Sequence, residues 1–145
     1  IWRASVDQIE TWKWTTAAGG YVMVINSNNG RVGVGVVTPA SALHVGGAIQ
    51  TAYTAVAGAI TLAQSHSVIG ASASSGYTIT LPTAGSIAGR TYTIKKTDNN
   101  ANVITIGTTS SQTIDGATTY TGLNAQWKYV TVVSDGSNWL ITAAN

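Results

Sequence analysis

Asn99, Asn100, Tyr120, Asn124, Gln126 and Trp127 bring aromatic faces and amide groups together in the C-terminal half of the chain. That combination suits a saccharide: an indole or phenol ring packs against the apolar face of a sugar, and amides hydrogen-bond its hydroxyls. Tyr120, Asn124, Gln126, Trp127 and Tyr129 gather around a turn read at Gly122-Leu123-Asn124-Ala125. The loop from Asp98 to Asn102 joins them if it lies at the same end. Trp127 and Trp139 also have an ordinary reading as buried packing, because large aromatics are usually well covered.

Covalent chemistry has little to work with. Glycoside hydrolysis needs two carboxylates flanking one bond, and the chain offers only Asp7, Glu10, Asp98, Asp115 and Asp135. The last two sit in Asp-Gly turns. No nucleophile-elbow pattern is present. The run Gly30-Arg31-Val32-Gly33-Val34-Gly35 lacks the third glycine of a dinucleotide fingerprint, and Val36-Val37-Thr38-Pro39 cannot open the helix that should follow. Asp98 to Asn102 lacks the glycine and the glutamate of a calcium loop. His44 and His66 have no partner at metal-ligand spacing. Three copies of His44 on a three-fold axis are the one arrangement that would converge imidazoles on an ion. The expectation is a binding protein, not an enzyme, with no cofactor and no metal.

The elements that must position these residues read as strands. Tyr77, Ile79 and Leu81 alternate with Thr78 and Thr80; Tyr92 and Ile94 alternate with Thr91, Thr93 and Lys95. Ile104 and Ile106 alternate with Val103 and Thr105, and Trp139 and Ile141 with Leu140 and Thr142. A period of two places alternate residues on opposite faces. Turn chemistry separates the runs, and short strands at roughly ten-residue spacing predict an antiparallel β-sandwich or barrel. Asp135-Gly136 marks a tight hairpin. Only 8% of residues are charged, so solubility rests on Thr, Ser, Asn and Gly, which suit strands and turns. The net charge of +2 comes from scattered cations, and no basic stripe for nucleic acid exists. No apolar run is long enough for a membrane span, and the absence of cysteine rules out a disulfide framework.

The first fifty residues differ. Trp12 and Trp14 share a face in the run from Glu10, Tyr21 to Ile25 is apolar, and Asn26 to Gly30 is a turn. Ser5 and Gln8 have capping-box spacing for a helical turn at residues 6–9. Ala48 to Gly58 is rich in small residues and reads as a hinge, dividing a segment 1–50 from a head 51–145. A segment of that size, without disulfide or metal, rarely builds a core alone. Valines at 32, 34 and 36 alternate with Gly33 and Gly35, and glycine in a strand marks the close approach of another backbone. Three chains wound about one axis would supply that backbone, with Val32, Gly33, Val34, Gly35, Leu43 and Val45 packed at the centre. The chain begins Ile-Trp-Arg rather than with Met, which reads as a fragment or processed product.

The segment from Gly30 through Val45 resembles a motif of bacteriophage tail fibres and related trimeric fibre proteins, in which a VGIG-like run precedes a Ser-Pro step and an LHV-like strand. Here Val36-Val37-Thr38-Pro39 stands where Thr-Thr-Ser-Pro is more usual, and Ala42 where Lys is frequent. The stretches Tyr77 to Pro82, Ala88 to Lys96, Thr113 to Gly116 and Val133 to Trp139 resemble fibre-head modules. The resemblance implies an all-β homotrimer: a short interwoven β-stalk, then a β-rich head. It further implies a place in the virion outside the cell, attachment to upstream fibre, tail or baseplate proteins, and adhesion to a host-surface receptor such as a glycan. A purely structural capping domain of a fibre or cell-surface appendage and a monomeric carbohydrate-binding module are the alternatives.

Overall fold

A computed structural model describes residues 11–16, 18–26 and 28–145. The helical turn expected at residues 6–9, with Ser5, Asp7, Gln8 and Glu10, lies outside the described residues. Every regular element among those described is a β-strand, so the chain is all-β. It divides into two compact units, Ile1–Gln50 and Thr51–Asn145.

The first unit holds one sheet in the order β1(Thr11–Thr15), β2(Tyr21–Asn26), β3(Arg31–Val34), β4(Leu43–Val45). Asn side chains make the β2–β3 turn: the Asn26 carbonyl oxygen Oδ1 accepts from the Asn28 amide, and that of Asn29 from the Arg31 amide. Gly30 completes it with a φ of +67°, a region closed to most side chains. β3 and β4 then run parallel, with Val32 beside Leu43 and Val34 beside Val45. Parallel neighbours normally need a long crossover; here residues 35–42 make it by lying tight against the sheet.

Glycine permits that tightness. A Cβ on Gly33 would collide with the carbonyl oxygen of Val36, and one on Gly46 would come 2.8 Å from Val36 Cγ2. The Arg31 guanidinium donates to the Pro39 carbonyl at 3.1 Å, and the Gly35 amide to the Val22 carbonyl at 2.9 Å. The backbone expected against Gly33 from another copy is therefore the chain's own crossover. Gly35 has open space about it and a φ of +66°; its role is the turn itself. Sequence spacing showed that something approaches, but not which segment.

The register gathers apolar residues on the opposite face. Trp14, Met23, Val34 and Val45 form one row across the sheet, and Ile25, Val32 and Leu43 continue a second. Trp14 is 48%, Val34 39% and Leu43 59% exposed.

The second unit has two sheets. One orders β13(Trp139–Ala144), β12(Tyr129–Ser134), β9(Thr91–Lys96), β7(Val68–Ala71) and β5(Tyr53–Val56); the other β11(Thr119–Leu123), β10(Ile104–Gly107), β8(Tyr77–Thr80) and β6(Ile60–Thr61). From β5 to β10 successive strands alternate between the sheets, so each sheet grows by parallel pairing: β5 with β7 with β9, and β6 with β8 with β10. This corrects the antiparallel expectation. A turn that carries the chain across to the other sheet uses the same Gly, Asn and Ser as a hairpin turn, and a strand's period does not name its neighbour. Antiparallel pairs do link β9 to β12, β10 to β11 and β12 to β13.

Both sheets contribute to one hydrophobic cluster, including Ile69, Ile79, Tyr92, Ile94, Ile104, Ile106, Leu123, Val132 and Trp139. The predicted alternation appears here as buried residues at every second position. Trp139 is fully buried; its indole N–H donates to the Pro82 carbonyl and its ring lies 5.6 Å from that of Tyr92. The segment read as a hinge contains β5, whose small residues are held by backbone pairing with β7. The hairpin at Asp135 is present, with a turn wider than a two-residue one: the Asp135 carboxylate accepts from the amides of Ser137 and Asn138 at 2.7 and 2.6 Å. Paired positive φ values occur instead at Asp115 and Gly116 (+47° and +83°), between the bridged residues Ile114 and Ala117.

Candidate functional site

The turn between β11 and β12 carries Asn124, Gln126 and Trp127 and is docked on the end of β9. The Trp127 amide donates to the Lys96 carbonyl and the Lys96 amide to the Lys128 carbonyl, both at 2.9 Å. Gln126 Nε2 donates to the Thr97 carbonyl at 3.1 Å. Held this way, Trp127 adopts a φ of +68° and is 55% exposed. Left-handed backbone at a bulky residue is an outlier and costs about 1–3 kcal/mol.

Two neighbours complete a surface around this indole. Lys95 lies opposite Tyr129 in the β9–β12 ladder. Its ammonium stands 5.7 Å from the Trp127 ring centroid and 5.8 Å from that of Tyr129, within cation–π range of both. Next along the same row, Lys95 pairs with Gly70 on β7. A Cβ at Gly70 would run into the Tyr53 ring, so the glycine is the floor on which Tyr53 rests, and Tyr53 is itself exposed. Tyr53, Lys95, Tyr129 and Trp127 thus form an aromatic strip with one cation across β5, β7, β9 and β12.

The other expected site residues are distributed differently. Asn99 and Asn100 belong to the loop after β9, which the Gln126–Thr97 bond places beside the Trp127 turn. Asn99 and Asn124 are exposed. Asn100 is occupied structurally, its amide nitrogen donating to the Ala73 carbonyl at 3.1 Å. Asp98 organises the loop: one carboxylate oxygen accepts from the Ala73 amide, the other from the Asn100 amide and from the Lys96 ammonium at 2.7 Å. Lys96 is fully buried, and its hydrogen bond is the main cause holding the Asp98 carboxyl down at about 2. Tyr120 lies on β11 in the other sheet and packs against the core, with its ring over Gly122. The structure therefore gathers Asn124, Gln126 and Trp127 beside Asn99 and Asn100, and sets Tyr120 apart.

Lys95 and Tyr53 are the additions. Alternation does mark Lys95 as outward-facing, but its place beside Trp127 depends on the β9–β12 register. His44 and His66 each accept a backbone amide at Nδ1, from Ala40 and Ala63. Among the described residues no three His, Asp or Glu side chains come together as a metal site.

Comparison with protein-family models, with curated proteins and with solved structures gave no match.

Proposed function

We propose that this chain is the structural and adhesive tip of a phage tail fibre, a homotrimer displayed on the virion that grips a host-surface glycan and catalyses no reaction. Trp127 carries the adhesive part of the reading. It is exposed, strained and unused by the core, whereas Trp139 shows how this fold buries a tryptophan that serves packing. An indole held outward beside Tyr129 and flanked by amides is suited to stack on a pyranose.

The trimeric part is supported by the apolar face of the first unit. Val32, Val34, Leu43 and Val45 share it with Trp14, Met23 and Ile25, a composition suited to burial against copies of itself. In this reading the first unit is the stalk, the second a two-sheet sandwich head, and the chain joins upstream fibre, tail or baseplate proteins. Adhesion gives saturable binding of the trimer to bacterial surfaces or arrayed glycans. A purely structural cap gives full trimerisation with no binding, and a carbohydrate-binding module gives binding by a monomer.

A further inference from the structure

We infer that the strip of Tyr53, Lys95, Tyr129 and Trp127 takes an acidic saccharide, one whose carboxylate or phosphate reaches the Lys95 ammonium while a sugar ring lies on Trp127. The inference rests on the glycan-binding reading and names the class of sugar. Its first support is charge. The outward positions of β5, β7, β9 and β12 hold Tyr, Ala, Val, Gly, Thr and a single cation, Lys95, and no acid.

The acids of the second unit are committed elsewhere. Asp98 is bound to Lys96 and two backbone amides. Asp135 caps its own turn, and Asp115 accepts from the Ile141 amide. Among the described residues Lys95 therefore faces two aromatic rings and no carboxylate. A cation so placed offers its N–H donors to an anion brought in by the ligand, and such charge-assisted bonds are the strong ones.

The second support is shape. The Tyr53 ring covers Gly70, the register partner of Lys95, and the strip crosses four adjacent strands, about 14 Å at ordinary strand spacing. That length fits a short oligosaccharide lying across the strands. The ring of Tyr53 at one end and the indole of Trp127 at the other give it two stacking points.

The test is titration calorimetry of the whole chain with three probes: a galacturonic acid trimer, its methyl ester as the neutral equivalent, and a phosphorylated trisaccharide. At least one acidic probe is expected to bind about tenfold or more tightly than the neutral one, the worth of one charge-assisted hydrogen bond, and to weaken as salt rises. Which acid binds tells carboxylate from phosphate. Lys95→Gln is expected to abolish the preference for the acidic probe, and Lys95→Arg to retain it. Equal binding of acidic and neutral probes overturns the acidic assignment and leaves glycan binding intact. Acidic preference that survives in a folded Lys95→Gln chain overturns the role of Lys95. No binding of any probe by the folded chain overturns this inference, and only silence on a broad glycan array as well removes the glycan reading beneath it.

Discussion

At Trp127 a left-handed backbone and an exposed indole coincide in one residue. Glycine would relax the backbone, and the core has no use for the ring. Trp127→Gly is therefore expected to unfold at a midpoint no lower than wild type, because relief of about 1 kcal/mol or more of strain offsets the flexibility that glycine adds to the unfolded chain. Thermal unfolding checks this, and a loss above about 2 kcal/mol would assign Trp127 a structural role instead. Asp98 behaves oppositely, since removing its carboxylate strands a buried ammonium. Asp98→Ala should cost roughly 3 kcal/mol in a denaturant titration, as broken buried ion pairs do. The sign with pH follows: the folded carboxyl sits at about 2 against an ordinary 3.8, so its stabilisation is complete above pH 4 or so and is lost as pH falls toward 2. Wild type should show that acid loss and Asp98→Ala should lack it. Sequence named Trp127 and the Asp98 loop together as candidates. It could not separate them, because which amides meet Asp98 is decided by a loop some 25 residues away.

Among the elements, strand faces were legible and strand partners were not. Tyr77-Ile79-Leu81 and Tyr92-Ile94 bury as their alternation requires, since the period of two follows from the backbone alone. The alternating path of β5 to β10 between two sheets left no trace in that period. Nor did β5, whose Tyr-Thr-Ala-Val lies in a run of small residues and gains its order from β7. The Gly33 crossover was half legible: glycine announced a close approach, while its source is the carbonyl of Val36, three residues further along the same chain. Gly33→Ala should therefore destabilise the first unit by about 1–3 kcal/mol through overpacking against backbone that cannot yield. Gly47→Ala, with open space around it, should be close to neutral. Hydrogen exchange at β3 and β4 reads the difference.

For the whole molecule, two surfaces stand apart from the cores: an apolar sheet face in the first unit and an aromatic strip with a single lysine in the second. The first predicts assembly. Native mass spectrometry should find about three chains for wild type and a single chain for Val34→Lys or Leu43→Lys, because a charge buried without a partner in a closed symmetric interface is not tolerated. A wild-type chain that stays monomeric at every concentration would leave the binding-module reading in its place. The second surface predicts adhesion, and there the most direct measurement is a glycan array probed with the wild-type and Trp127→Gly chains side by side. Wild type is expected to bind a defined set of glycans saturably, and the variant, folded and of the same native mass, to bind none of them. Equal binding by the two chains, or none by the wild type, would contradict an adhesive role for this tryptophan.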